Sequence, residues 1–260
     1  PHLPRKKLEL LLAKCARLSD SMWLIPRSGD FITEGVDIEI IGDVLSLYIK
    51  KNLAKPWNIA IKNLYETILT FLFVCLFLPL FVVIAIAIRL DSKGPVFYIQ
   101  ERIGKGKSIF RLFKFRSMYV DNEMRLVAYL KENPLARKEW DKYKKLKNHD
   151  PRVTPIGKFL RRFSLDELPQ LFNVLQGSMS LVGPRPYLPK ELEGKDTFKS
   201  VIALVKPGIT GLWQISGRSE LSFAKRISLD EYYIRNWSVW LDVTILLKSL
   251  KVWLSQKGAY

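Results

Sequence analysis

The residues of this chain best suited to chemistry stand together in Arg161-Arg162-Phe163-Ser164-Leu165-Asp166-Glu167. Ser164 is a favoured N-cap, which puts Asp166 and Glu167 in the first turn of a helix, at its positive end. A carboxylate held there beside two arginines stays ionised, and that suits a nucleophile or a ligand for a divalent cation. The same spacing has a plain structural reading. Ser164 followed three residues later by Glu167 is a capping box, in which each side chain satisfies the other's backbone N–H. Pro169 fits either reading, because the first helical turn tolerates proline. These residues alone leave both readings open.

Two later segments could serve such a carboxylate. Leu181-Val182-Gly183-Pro184-Arg185-Pro186 sets an arginine between two prolines, a stiff loop in which one peptide bond is a candidate for cis. A rigidly held guanidinium clamps phosphate well, though a simple turn reads the same way. Lys206-Pro207-Gly208-Ile209-Thr210-Gly211, continuing to Gly217-Arg218, is rich in glycine and could bring backbone close to a ligand.

Composition narrows the class. The net charge is +17, and residues 1–55 hold nine Lys/Arg against seven Asp/Glu, so +15 lies beyond them. Such a surface attracts nucleic acid, anionic lipid or phosphorylated substrates, and charge alone does not choose. Two cysteines, one inside an apolar run, exclude a disulfide framework and favour a reducing, cytoplasm-facing catalytic part. Two histidines argue against a histidine metal site or triad. The chain opens at Pro1 with no cleavable signal peptide, and is expected to be part of something longer.

The elements that must position these residues are partly legible. Residues 8–18 have helical apolar spacing, while 22–26 and 37–41 read as strands. From Thr67 to Ile88 run 22 uncharged, mostly apolar residues, enough to cross the hydrocarbon core as a helix. Pro79 lies inside, and Lys50, Lys51, Lys55 and Lys62 precede the run while Arg89 and Lys93 follow. With both flanks basic, a helix that bends at Pro79 and returns to one face competes evenly with an ordinary kinked span. Pro95–Ile99 and Ile109–Phe115 read as a hairpin, and helical patterning from Asp121 breaks at Pro134. Residues 137–162 carry ten Lys/Arg against three Asp/Glu, interleaved with aromatics, which reads as an interfacial stretch or as a solvated face. Trp237–Trp253 is amphipathic and could lie on lipid or on the core.

These segments bear a family resemblance. Arg161–Pro186 (RRFSLDELPQLFNVLQGSMSLVGPRP), Gly94–Met118, Asp150–Arg162, Lys206–Arg218 and the stretch through LDEYYIRNWSVWLDVTILLKS to the terminal GAY strongly resemble the bacterial sugar transferases. These are monotopic polyprenyl-phosphate phosphoglycosyl transferases. The likeness runs from about Lys62 to Tyr260. It implies a membrane-associated α/β fold: residues 1–55 ending a Rossmann-like domain, 56–93 a re-entrant membrane helix breaking at Pro79, and 94–260 a small mixed α/β catalytic domain with interfacial amphipathic helices. It also implies transfer of a hexose 1-phosphate from a UDP-sugar to undecaprenyl phosphate, with release of UMP, at the cytoplasmic face of the bacterial inner membrane. Galactose ranks ahead of glucose. Asp166 is then the covalent nucleophile and Glu167 the Mg²⁺-side carboxylate. Arg162, Arg185, Lys114 and Arg116 are the phosphate-contact candidates, and Gly217, Arg218 and Asp230 match positions on the nucleotide-sugar side. Membrane lipid is an expected partner, nucleic acid is not, and a homodimer through the N-terminal region stays open. Ser178 departs from the pattern, since family members often carry an acidic residue there. Two rivals remain: a basic membrane-anchored binding protein, and a glycosyltransferase that moves sugar alone and releases UDP.

Overall fold

The computed structural model describes residues 21–24, 37–41, 44–50, 52–143, 146, 149–194, 202–217 and 221–255. The expected helix at 8–18, Arg218 and the terminal Gly258-Ala259-Tyr260 lie outside the described residues. Strands β1 (Ser21–Leu24), β2 (Asp37–Ile41) and β3 (Val44–Lys50) form an antiparallel sheet in the order β1-β3-β2. The strand expected at 37–41 stands where it was placed.

Helix α1 (Pro56–Asp91) is 36 residues long, with a mean hydropathy of 3.2 over its most apolar 18-residue window. At 1.5 Å per residue it spans about 54 Å, well beyond the roughly 30 Å of a hydrocarbon core. Leu72, Leu76, Leu78, Val82, Val83 and Ile86 are all more than half exposed. An apolar face of that size has to be covered, and a membrane is the medium its length and composition fit. The helix stays helical through Pro79. Proline removes one backbone donor from the ladder, which permits a bend without a break.

Lys62, one of the cations that precede the apolar run, is 5% exposed. Its ammonium bonds Glu66 at 2.7 Å and Asp242 at 2.5 Å. The i, i+4 spacing puts Lys62 and Glu66 on one face, and that face meets the protein instead of water.

Strands β4 (Phe97–Ile103) and β5 (Ile109–Phe115) form the expected hairpin, paired in antiparallel register from Phe97↔Phe115 to Ile103↔Ile109. Helices α2 (Asn122–Glu132) and α3 (Pro134–Tyr143) follow, divided at Pro134 as the proline requires. Neither buries a residue, and Met124, Val127 and Leu135 point outward. Helix α4 (Pro155–Arg162) is capped by Thr154, whose Oγ1 accepts from the Gly157 N–H at 2.9 Å. A side chain at Gly157 would meet the Ser117 carbonyl at 2.0 Å, so α4 lies directly on the segment after β5.

A 3₁₀ turn (Leu165–Glu167) leads into α5 (Gln170–Leu175). Buried Asn173 ties α5 to β5, donating to the Arg111 carbonyl at 2.7 Å and accepting from the Phe113 N–H at 2.9 Å. Strand β6 (Ser180–Val182) pairs in parallel with β7 (Gly208–Thr210). Short helix α6 (Leu212–Ile215), then α7 (Phe223–Asn236) and α8 (Val239–Ser255), complete the fold. Helix α8 buries Asp242 and Ile245 while Trp240, Leu247 and Leu250 stay exposed, so it has both a core face and an outer apolar face. The core gathers Phe81, Ile84 and Ile88 of α1, Phe115 of β5, Leu171 and Val174 of α5 and Tyr233 of α7. Phe81 packs on Phe115 and Phe172 with ring centroids 5.5 and 5.4 Å away.

Candidate active site

Asp166 and Glu167 sit in the 3₁₀ turn between α4 and α5. The residue before that turn, Ser164, has φ 51° and ψ 22°. A non-glycine residue in the left-handed region costs about 1 kcal/mol, and here it turns the chain sharply before the acidic pair. The capping box does not form. Ser164 makes no side-chain cap bond, because a left-handed residue cannot present its hydroxyl as an N-cap does. Instead the Glu167 carboxylate accepts from the Lys114 ammonium of β5 at 2.7 Å.

The two adjacent carboxylates are pushed apart electrostatically. Burial and the neighbouring Glu167 raise Asp166 to about 6, against the pull of Lys114 and Arg161. Burial acts on Glu167 too, but the charge and hydrogen bond of Lys114, with Arg185 and Arg102 beyond, hold it below the usual carboxylate range. Environments that separate a pair in this way give its members different chemical roles. Among the described residues no side chain hydrogen-bonds to Asp166, whose carboxylate is held only by a backbone N–H.

Both carboxylates line an open cavity of about 2490 Å³. Lys114, Arg161, Arg162 and Arg185 line it too, so the cations expected at a phosphate site share one space with the acidic pair. Apolar side chains line it as well, among them Leu69, Phe73 and Phe77 of α1 and Leu246, Leu247 and Leu250 of α8. Arg162 lies over the Phe163 ring at 5.7 Å. Arg116 also reaches the wall, but its guanidinium bonds the carbonyls of Ile88, Ser92 and Lys93 and the Ser92 hydroxyl. It caps the C-terminal end of α1, where a cation opposes the negative end of the helix dipole. Asp230 stands one layer behind the cavity. It is 1% exposed and accepts the Tyr187 hydroxyl at 3.3 Å, and burial raises its carboxyl well above the usual range.

The loop carrying Arg185 is pinned at almost every residue. The Gly183 N–H donates to the Thr210 carbonyl at 2.9 Å, and the Pro184 carbonyl accepts from the Gly208 N–H at 2.8 Å. Arg102 donates to the Pro186 carbonyl at 3.1 Å, and the Ile103 N–H to that of Tyr187 at 3.0 Å. Among the described residues no peptide bond is cis, so both prolines in this loop follow trans bonds. The glycines that were expected to admit a ligand admit one another: a side chain at Gly208 would meet the Gly183 nitrogen at 2.1 Å. The Arg185 guanidinium lies 5.8 Å from the centre of the Trp213 ring, which Arg226 also approaches, at 4.9 Å. Arg102, Tyr187, Trp213 and Arg226 were not singled out in the sequence. Arg102 and Trp213 lie inside the Gly94–Met118 and Lys206–Arg218 segments and Tyr187 directly follows Pro186, so motif position could have found all three. Ser178, the departure from the family pattern, bonds locally to the Asn173 carbonyl at 3.0 Å.

For a divalent cation the donor set is hard carboxylate oxygen. Among the described residues no group of three or more His, Cys, Asp or Glu could hold a metal. A cation such as Mg²⁺ commonly takes one or two carboxylates and completes its shell with substrate phosphates.

Residues 57–256 match the profile of the family described as bacterial sugar transferase. The chain belongs to this family. Among curated relatives, the undecaprenyl-phosphate galactose phosphotransferase of Salmonella typhimurium is 42% identical over 218 residues, 84% of this chain and 45% of the relative. The exopolysaccharide production protein ExoY of Rhizobium meliloti is 41% identical over 76% of this chain and 88% of its own length. The undecaprenyl-phosphate glucose phosphotransferase of Komagataeibacter xylinus is 37% identical over 87% of this chain and 42% of the relative. The chain thus spans about half the length of the Salmonella and Komagataeibacter relatives and most of the length of ExoY.

Proposed function

We propose that this sugar transferase moves a hexose 1-phosphate from a UDP-sugar to undecaprenyl phosphate and releases UMP, as an opening step of bacterial surface polysaccharide synthesis. The observation that carries the reading is the cavity itself. It joins a reactive carboxylate and several cations to a wall of membrane-helix side chains, which is what one soluble phosphorylated substrate and one lipid phosphate require.

In this reading an Asp166 oxygen attacks the sugar-side phosphorus. The bond from that phosphorus to the bridging oxygen breaks as the Asp166–phosphorus bond forms, and UMP leaves with the bridging oxygen. A phosphate oxygen of undecaprenyl phosphate then attacks the adduct. The Asp166–phosphorus bond breaks, the carboxylate returns, and sugar and lipid are joined by a diphosphate. Arg162 and Arg185 screen the negative phosphoryl group from the attacking carboxylate and hold it in line. Glu167 is the residue that would hold Mg²⁺, which when bound supplies further charge neutralisation at the phosphates. Lys114 keeps Glu167 ionised for that task.

Galactose is the favoured hexose, supported by the Salmonella relative's name, and glucose is the second reading, supported by the Komagataeibacter one. A bend of α1 at Pro79 that returns both ends to the cytoplasmic face of the inner membrane suits an active site fed from both sides. Residues 1–55 are read as the end of a preceding domain, and a homodimer through that region is part of the proposal. The test is a panel of UDP-sugars assayed with undecaprenyl phosphate. UMP release with a labelled protein–sugar phosphate adduct before lipid addition is expected. UDP as the leaving nucleotide would sink the reading.

A further inference from the structure

Glu66, at the foot of the membrane-length helix, bonds directly to the strand that leads into the Arg185 loop. It is 2% exposed. The Ser180 hydroxyl lies 2.8 and 2.6 Å from its two oxygens, and the Val182 N–H donates to it at 3.2 Å. Lys62 supplies the balancing charge at 2.7 Å. The Tyr233 hydroxyl, whose one hydrogen is shared with Asp242 at 2.7 Å, lies 3.0 Å from the Val182 carbonyl. Val182 is fully buried, with a polar side chain against each of its backbone groups. Only Gly183 and Pro184 separate it from Arg185, and Pro184 fixes its own φ. A shift of Val182 has little slack in which to dissipate before it reaches the guanidinium.

We propose that Glu66 is a positioning residue for Arg185: the membrane helix holds strand β6 in place and thereby sets where the phosphate-facing arginine stands. The proposal rests on the reading that Arg185 contacts the transferred phosphate. It makes the helix part of the support of the reaction site as well as an attachment to lipid. A guanidinium displaced by about 1 Å is enough to cost on the order of a hundredfold in rate, so a weakened clamp has a kinetic signature.

The experiment is a double-mutant cycle on the full chain in detergent micelles, reading UMP release from UDP-galactose and undecaprenyl phosphate. Glu66→Gln keeps the size, removes an acceptor and removes the charge facing Lys62. It is expected to lower kcat by about tenfold or more in the wild-type background, in line with a sub-ångström displacement. In an Arg185→Lys background, where the planar fork that needs placing is gone, the same change should cost less than about twofold. Ser180→Ala, which deletes only the hydroxyl, should show the same dependence on background and decides the matter if Glu66→Gln does not accumulate as folded protein. Equal losses in both backgrounds, with wild type releasing UMP, overturn the coupling and leave the proposed function standing. A wild-type protein that releases no UMP from any member of the UDP-sugar panel overturns both.

Discussion

Two carboxylate sites in this molecule are built from the same ingredients and left in opposite states. At the foot of α1, Asp242 accepts from Lys62, Tyr65, Tyr233 and the Trp237 indole, and Glu66 accepts from Lys62, Ser180 and Val182. Both carboxylates there are buried and held by several protein donors each. In the turn at Leu165–Glu167, Glu167 has Lys114, and Asp166 lines a cavity with no side-chain donor among the described residues. A charge held by several protein donors is structural, because little acceptor capacity is left for anything else. An open carboxylate beside cations has chemistry left to do, and the cost of holding it there shows in the raised pKa of Asp166.

The sharpest way to break this contrast is Asp166→Asn. Turnover should fall on the order of a thousandfold or more, as for loss of a covalent nucleophile, with the thermal unfolding midpoint not lowered, because the buried charge that is removed carries a cost. A variant that keeps wild-type activity would return Asp166 to the structural class. The mirror-image change is Asp242→Asn, which strands Lys62 without its full counter-charge. Breaking a buried ion pair costs about 3–5 kcal/mol, so this variant should unfold at lower denaturant concentration, while any protein that does fold should still form the covalent adduct. Glu167→Gln should lower activity by about ten- to a hundredfold and raise the Mg²⁺ concentration needed for half-maximal rate. An unchanged Mg²⁺ titration would remove Glu167 from the metal.

The smallest effect is in pH. Attack needs the ionised form of Asp166, so the rate should rise with pH up to about 6 and level off above it. Below that inflection each unit removes about tenfold. Glu167 helps raise Asp166, so Glu167→Gln should move the inflection to lower pH. An inflection that stays in place would show that the acidic neighbour does not set it.

Local features were legible in the sequence to the extent that their cause is local. The hairpin around Gly104 and Gly106, the division of α2 from α3 at Pro134 and the 22-residue apolar run follow from turn chemistry, proline and hydropathy, all of which act over a few residues. The acidic pair was also visible, but its local rule pointed to a capping box. That rule lost to Lys114, a partner 53 residues away on another element. The fate of Lys62 was hidden for the same reason. The sequence shows it only as one of the cations before the apolar run, and its partner Asp242 lies on the last described helix. The stiffness of the Pro184-Arg185-Pro186 loop was readable from its prolines. The bonds that aim it come from β7, Arg102 and α1, which no short motif encodes.

The distance along the chain between Lys62 and Asp242 also imposes an order of assembly. The two are 180 residues apart, and the helix leaves the ribosome first. At about 5–20 residues per second, synthesis takes roughly 10 to 40 seconds to deliver the missing partner. During that interval Glu66, one helical turn away, is the counter-ion already at hand for Lys62. Asp242 later joins the pair without displacing it, since in the folded protein the Lys62 ammonium bonds both carboxylates.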